Sequence, residues 1–283
     1  LPKPTPEFTL QERLEATDMS VLHYVVENHV AIITLNRPEA RNALNPEVAC
    51  RLADAWEAVR QDDEVRVAIL TGTGSAFCAG ADLGQLIPLY SGARKPENEW
   101  DERIVADRYL TRRALLRDFD PEKPVLAAIN GHAIAGGMEL VQGTDIRVSV
   151  AEAKFGVQEV KWAIFPAGGS TVRLPAQMPY AKAMELLLTG DLITADEALQ
   201  LGFLNYVDAD PLTKARQIAA RIAANGPLAV KAIRRSVKAC LGKPEQEALA
   251  IEVEVSAPVF LTEDAKEGPR AFMEKRTPVY QGR

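Results

Sequence analysis

The chain has 283 residues, 47% hydrophobic and 25% charged, enough apolar material for one large domain or a main domain with a smaller appendage. Its net charge of -6 leaves no basic surplus to neutralise phosphates, which argues against nucleic acid or a membrane surface as a general partner. Cys50, Cys78 and Cys240 lie far apart without CxxC spacing, which argues against a disulfide framework or a zinc site and fits a reducing, cytoplasmic compartment.

The opening LPKPTPE has no apolar stretch or cleavage-site pattern, so residues 1–18 are expected to be a loosely ordered lead-in. Two β-branched runs at 21–27 and 30–36, split by Asn28-His29, predict a hairpin. Over 46–61, Val48, Leu52, Ala55, Trp56 and Val59 recur at helical spacing, with Asn45 as N-cap and Pro46 at the first helical position. A buried strand over 65–71 runs into Gly72-Thr73-Gly74-Ser75, and a small-residue loop, Ala79-Gly80-Ala81-Asp82, follows. The polar stretch 88–99 predicts an irregular segment or mobile loop, and 100–117 a helix. A second buried strand over 125–130 leads into a loop of small residues at 131–137. A short helix over 137–142 and strands over 145–150 and 154–157 come next. Beyond 179 the pattern is helical, over 180–188, 195–201, 211–224, 227–240, 244–260 and 264–275. Strands early and helices late predict an α/β core with a helical C-terminal region. The longest apolar runs are far too short to span a bilayer.

Two loops and two glutamates stand out as candidate chemistry. Phe77-Cys78-Ala79-Gly80-Ala81-Asp82-Leu83 follows a buried strand, and its small residues allow close approach to the backbone. For this motif taken alone, a tight turn with Asp82 capping the next helix is the plainer reading. In Asn130-Gly131-His132-Ala133-Ile134-Ala135-Gly136-Gly137-Met138-Glu139, a strand again empties into a small-residue loop at a helix start. Unpaired N–H groups at such a start suit a developing oxyanion, and close helix–strand packing is the plainer alternative. Glu139 has apolar neighbours that would raise its pKa if buried, whereas Glu159, after Phe155-Gly156, reads on its own as an exposed loop residue. Cys78 reads as a small apolar filler rather than a nucleophile, and His132 as a backbone-bonded histidine.

Taken in order, these segments resemble the crotonase superfamily and, within it, the enoyl-CoA hydratases. Other matching segments are Leu35-Asn36-Arg37-Pro38 with Asn42-Ala43-Leu44, Pro166 with Gly169, Leu187-Leu188-Thr189-Gly190, Ala195 with Ala198, and Phe272-Met273-Glu274-Lys275-Arg276. The resemblance implies a crotonase-like spiral of ββα repeats over 19–210, forming two sheets, with a C-terminal helical trimerisation region over 211–283. It implies homotrimers, often paired into hexamers, and an acyl-CoA thioester substrate. No cofactor is implied beyond the CoA of the substrate, and no metal. By the same resemblance the N–H groups of Ala81 and Gly136 form an oxyanion hole, and Glu139 and Glu159 act as the acid–base pair. Arg41, Ala43, Ala79, Asp82 and Leu83 would contact CoA, with Phe272 and Lys275 reaching it from a neighbouring subunit.

The sequence departs from the family pattern at several points. Gly84 stands where many hydratases carry a lysine for a CoA phosphate. Ala135 replaces the first glycine of Gly-Gly-Gly, and Ser170 stands where a second glycine is common after Gly169. The stretch 86–102 is longer than in compact hydratases, and Leu86, Ile87, Leu89 and Trp100 predict a lid over a bulky acyl group, branched or steroid-like. The alternatives to a hydratase are an enoyl-CoA isomerase or another crotonase-type enzyme, and a non-catalytic acyl-CoA-binding protein.

Overall fold

A computed structural model describes residues 21–283; the lead-in expected over 1–18 lies outside the described residues. Strands β1 (Leu22–Glu27) and β2 (Val30–Leu35) form the expected antiparallel hairpin. Asn28 and His29 hold φ values of 51° and 66°, the left-handed pair that matches the twist of a two-residue hairpin. Helix α1 (Pro46–Gln61) follows, with the Asn45 side chain accepting from the Val48 amide as its predicted cap.

The chain then alternates between two sheets. β3 (Val67–Gly72), β5 (Val125–Ile129), β7 (Ile146–Ser149) and β10 (Tyr206–Val207) extend the hairpin sheet in the order β1-β2-β3-β5-β7-β10. β4 (Ala76–Cys78), β6 (His132–Ile134), β8 (Lys154–Gly156) and β9 (Ile193–Thr194) form the second sheet, in that order. Each successive turn thus gives one strand to each sheet, and the helices fill the connections. These are α2 (Leu86–Ser91), α3 (Glu99–Ala106), α4 (Leu110–Ala114), α5 (Gly136–Gln142), α6 (Ser170–Gln177), α7 (Tyr180–Thr189) and α8 (Ala195–Gln200). The ββα spiral implied by the resemblance is the fold. Four longer helices close the chain: α9 (Pro211–Ala223), α10 (Pro227–Cys240), α11 (Glu245–Ser256) and α12 (Glu263–Met273).

Alternation along β3 and β5 divides their side chains between two cores. Ala68, Leu70, Val125, Ala127 and Ile129 join Leu52 and Trp56 of α1, while Val67, Ile69, Leu126 and Ala128 pack against Ala215, Ile218 and Ala219 of α9. Both faces of the sheet are covered, which is why these strands read as unbroken apolar runs. The sheet carries the site indirectly: the loops leaving β4 and β6 are pinned where their neighbouring strands end.

Two predicted elements are corrected. The helix expected over 100–117 is broken between α3 and α4, because Asp107 takes an extended conformation and its carboxylate accepts from the Tyr109 amide and from Arg113. The loop expected over 88–99 begins inside α2, where Leu86 and Leu89 are buried and Gly92, at φ 75°, ends the helix. The rest of that stretch is clamped by Arg94, whose guanidinium grips the buried Asp101 carboxylate at 2.5 and 2.7 Å.

Candidate active site

The two small-residue loops meet. Buried Asn42 fixes the first of them, donating to the Thr73 and Ala76 oxygens at 2.9 and 2.8 Å and accepting from the Arg37 amide at 2.9 Å. Segment 41–44 then runs beside 79–82, through Ala79 N–H to Arg41 O, Leu44 N–H to Gly80 O and Asp82 N–H to Leu44 O, at 2.8–3.0 Å. Those bonds use the Ala79 and Asp82 N–H groups, Gly80 N–H goes to the Cys78 Sγ, and the Ala81 N–H has no acceptor among the described residues. Gly80 turns the chain at φ 94°; a Cβ there would lie 3.0 Å from the Gly136 nitrogen and 2.8 Å from the Ala135 Cβ. A Cβ on Gly136 would in turn lie 3.5 Å from the Ala81 nitrogen. Gly136 begins α5, so its N–H is among the orphan donors of a helix start. Ala135, which precedes it, holds φ 52° and ψ -124°, a conformation that suits glycine and strains alanine.

Glu139, in the first turn of α5, is buried, and so is Glu159, at the start of a 3-10 turn over Glu159–Trp162. Burial raises the Glu139 pKa, opposed by hydrogen bonds from Ser170 and Gly168 and by the charge of Arg173. Burial also pushes the Glu159 carboxyl up to about 7, and the nearby charge of Glu139 pushes in the same direction. The Ser170 N–H donates to Glu139 at 3.2 Å, whereas the Glu159 Oε2 has no partner among the described residues. The two carboxyls are thus held differently, Glu139 with a hydrogen-bond donor on its Oε1 and Glu159 with a bare Oε2, and such unlike surroundings suit an acid–base pair. Gly168 allows this placement, since a Cβ on it would fall 2.3 Å from the Glu139 Oε2. The exposed-loop reading of Glu159 from its local sequence is corrected: the turn folds back and buries it.

Both glutamates line a cavity of about 370 Å³, together with Ala79, Ala81, Leu83, Ala135 and Gly136. Its remaining wall is mostly apolar, from Leu86 and Ile87 through Leu115 and Ile134 to Trp162, Ile164 and Phe165, with Tyr90, Arg108, Thr111 and Arg112 adding polar groups. Arg41, Ala43, Asp82, Phe272 and Lys275 are not in that lining. The lid expectation narrows accordingly. Leu89 is buried in the core, and Trp100 packs against it with the Arg51 and Arg103 guanidiniums 4.8 and 5.7 Å from its ring. Only Leu86, Ile87 and Tyr90 of that stretch face the cavity. Cys78 is fully buried, which pushes its thiol up to about 12 and makes it the filler expected. His132 accepts from the Lys154 amide at 3.2 Å.

Asp82 is held by its own surroundings. Its carboxylate meets Arg37 at 2.6 Å and accepts from the Gly84 and Gln85 amides, both at 2.9 Å. Partial burial works against ionisation, but Arg37 and the two amides outweigh it and keep the pKa below 3.8. Such a group stabilises the fold above its unfolded pKa and loses that contribution as pH falls through its folded value. Asp82→Asn is therefore expected to cost about 1 kcal/mol at pH 7. Urea titrations should show the gap to wild type closing as pH falls below 3.8.

Local sequence marks Asn42 only as part of the Asn42-Ala43-Leu44 motif and does not mark Arg173, and the glycine pair Gly168-Gly169 is the one visible signal for Gly168.

Paired small-residue loops and two unlike buried carboxyls on a ββα spiral define a site of crotonase type. A family model described as enoyl-CoA hydratase/isomerase matches residues 26–283, and the chain belongs to that family. Enoyl-CoA hydratase EchA19 of Mycobacterium tuberculosis is 47% identical over 257 residues, covering 90% of this chain and 94% of the relative. (E)-benzylidenesuccinyl-CoA hydratase of Thauera aromatica is 39% identical, covering 91% and 97%. The crystal structure of an enoyl-CoA hydratase from Mycobacterium tuberculosis H37Rv superposes with a TM-score of 0.83 at 38% identity, over 93% of this chain and 99% of that one.

Proposed function

We propose that the protein adds water to a trans-2-enoyl-CoA, giving the 3-hydroxyacyl-CoA. The observation that carries this is the pair of buried carboxyls, Glu139 and Glu159, on one cavity with the Ala81 and Gly136 amides. The thioester oxygen accepts from both amides, which stabilise the charge that builds there as the enolate forms; one such donor is worth about 2.7–4 kcal/mol. Glu139, with hydrogen-bond donors to its anion, takes a proton from water as the oxygen bonds to C3. Glu159, whose pKa of about 7 keeps much of it protonated at neutral pH, delivers a proton to C2 as the C2=C3 π bond breaks. The reaction is redox-neutral and uses no group beyond these residues and the CoA of the substrate. A 2-enoyl-CoA panel should be hydrated, and a 3-enoyl-CoA should not be isomerised at a comparable rate. The reverse preference would identify an isomerase.

We further propose a bulky acyl group, lying between Ile87 and Tyr90 on one wall and Leu115, Trp162 and Phe165 on the others. The CoA portion would leave along Ala79 and Leu83 toward Arg41, Ala43 and Asp82. Exposed apolar side chains on α10 and α11, including Ile233, Val237, Leu249 and Val253, favour burial against further copies of the chain as a trimer or hexamer. Phe272, exposed at the end of α12, and Lys275 just beyond it would then be available to a neighbour's CoA. No helix of the described residues is long and apolar enough to cross a membrane, and the three free cysteines fit the cytoplasm.

A further inference from the structure

We propose that the Ser170 hydroxyl and the Gln142 side-chain amide form a positioning pair that holds Glu139 ionised and aimed as the water-activating carboxylate. The proposal rests on the hydratase reading for its catalytic consequence, but not for its geometry. Ser170 is fully buried at the first position of α6, and Gln142 is buried at the last position of α5. The Gln142 Nε2 donates to the Ser170 Oγ at 2.9 Å. A hydroxyl carries one proton, and with its oxygen receiving Gln142 that proton is left for the neighbouring Glu139 carboxylate, whose anion the Ser170 side chain favours. The Ser170 N–H donates to Glu139 Oε1 at 3.2 Å, so the same residue also holds that carboxylate through its main chain.

The backbone of Gln142 is itself fixed. Its main-chain oxygen accepts from Gln177 Nε2 at 2.9 Å and from the buried Arg147 at 3.4 Å, and Gln177 Oε1 accepts from the same guanidinium at 3.0 Å. The network ties α5, α6 and the start of β7 into one block behind Glu139. Reversing the Gln142 amide would make it the acceptor of the Ser170 proton and take that proton from Glu139. The direction from Gln142 Nε2 to Ser170 Oγ is the one that suits an anionic Glu139, and it leaves the Gln142 Oε1 buried without a partner among the described residues. Glu159 has no comparable support, as its Oε2 lacks a partner among the described residues. Ser170 does not line the cavity, so it acts through Glu139 rather than on substrate. A glycine here, the residue common in the family, would keep the N–H and lose the hydroxyl.

The test compares wild type with Ser170→Ala, Ser170→Gly and Gln142→Leu. Its two readouts are the pH profile of enoyl-CoA hydration and a 13C titration of the glutamate side-chain carboxyls. Both serine variants should lower kcat about tenfold or more with KM little changed, and should move the acidic limb and the Glu139 titration up by about one pH unit. Gln142→Leu should shift them in the same direction but less. A Glu139 titration unmoved in both serine variants, or a loss confined to KM, would overturn the pairing. If wild type hydrates nothing while the Glu139 titration moves as expected, the hydratase reading falls and the pairing stands. The titration needs no turnover, and a failure of the alanine variant to fold leaves the glycine variant to decide.

Discussion

Glu159→Gln is expected to lower hydration by about 10²–10⁴-fold and, at the same time, to make the folded protein more stable above neutral pH. The two effects have one cause. The folded Glu159 carboxyl holds its proton up to about pH 7, against an ordinary value of 4.5, because burial and the Glu139 charge disfavour its anion. Between those values the native state binds more protons than the unfolded one, so stability falls as pH rises through that window. Above pH 7 the full cost of the buried anion is present, on the order of 3 kcal/mol for a shift of this size. Glutamine keeps the shape and removes the charge. Urea unfolding should show no gain for the variant near pH 4 and a gain approaching that size by pH 8, while the hydration assay at pH 7 shows the loss. Equal stability at both pH values would mean that the carboxyl is not held protonated, and its role as proton donor would fail with it. Glu139→Gln should abolish hydration to a similar degree but give a smaller stability gain, because Ser170, Gly168 and Arg173 already favour the Glu139 anion.

What the sequence made legible was local, and what it hid was long-range. The hairpin, α1 with its Asn45 cap, and the apolar strands β3 and β5 follow from periodicity, capping and turn chemistry within a few residues. Helix α6 has no clear local signature, since Gly168-Gly169 before it and Pro175 inside it both disfavour helix. Packing of Leu174 and Ser170 against the body outweighs the lost Pro175 amide bond. The break at Asp107 escaped because an aspartate in an otherwise helical pattern shows its preference for bonding the Tyr109 amide only when the chain is folded. At the site, the small residues around Ala81 and Gly136 were visible as two unrelated loops. The first loop depends on Asn42, whose side chain donates to the Thr73 and Ala76 oxygens 31 and 34 residues away, and no spacing rule encodes such a contact. Glu159 illustrates the same limit: its neighbours in sequence are partly exposed, and its burial comes from the turn that folds it back into the body. The ordered resemblance to a family named it; local chemistry alone did not.

Gly137→Ala should separate the two loops and so test whether their contact matters. A Cβ on Gly137 would lie 2.1 Å from the Cys78 oxygen and 2.8 Å from its carbonyl carbon, distances that real Cβ atoms do not reach. The obstacle is backbone, so no rotamer change can relieve it. Nor can Cys78 retreat, because β4 pairs with β6, and the Asn42 Nδ2 holds the Ala76 oxygen at 2.8 Å. The start of α5 must therefore move away from β4, and Gly136 moves with it, away from Ala81. One methyl group is expected to cost about 3 kcal/mol of stability through overpacking. Among molecules that remain folded, kcat should fall about 10²–10³-fold, the effect of losing one aimed oxyanion donor. Gly84→Ala is the matched control: its nearest neighbour would be the Asp82 Oδ1 at 3.4 Å, an ordinary contact, and both stability and kcat should stay close to wild type. A Gly137→Ala enzyme with normal kcat would show that Gly136 can move without consequence. The charge on the thioester oxygen would then have to be met by some group other than the paired amides of Ala81 and Gly136.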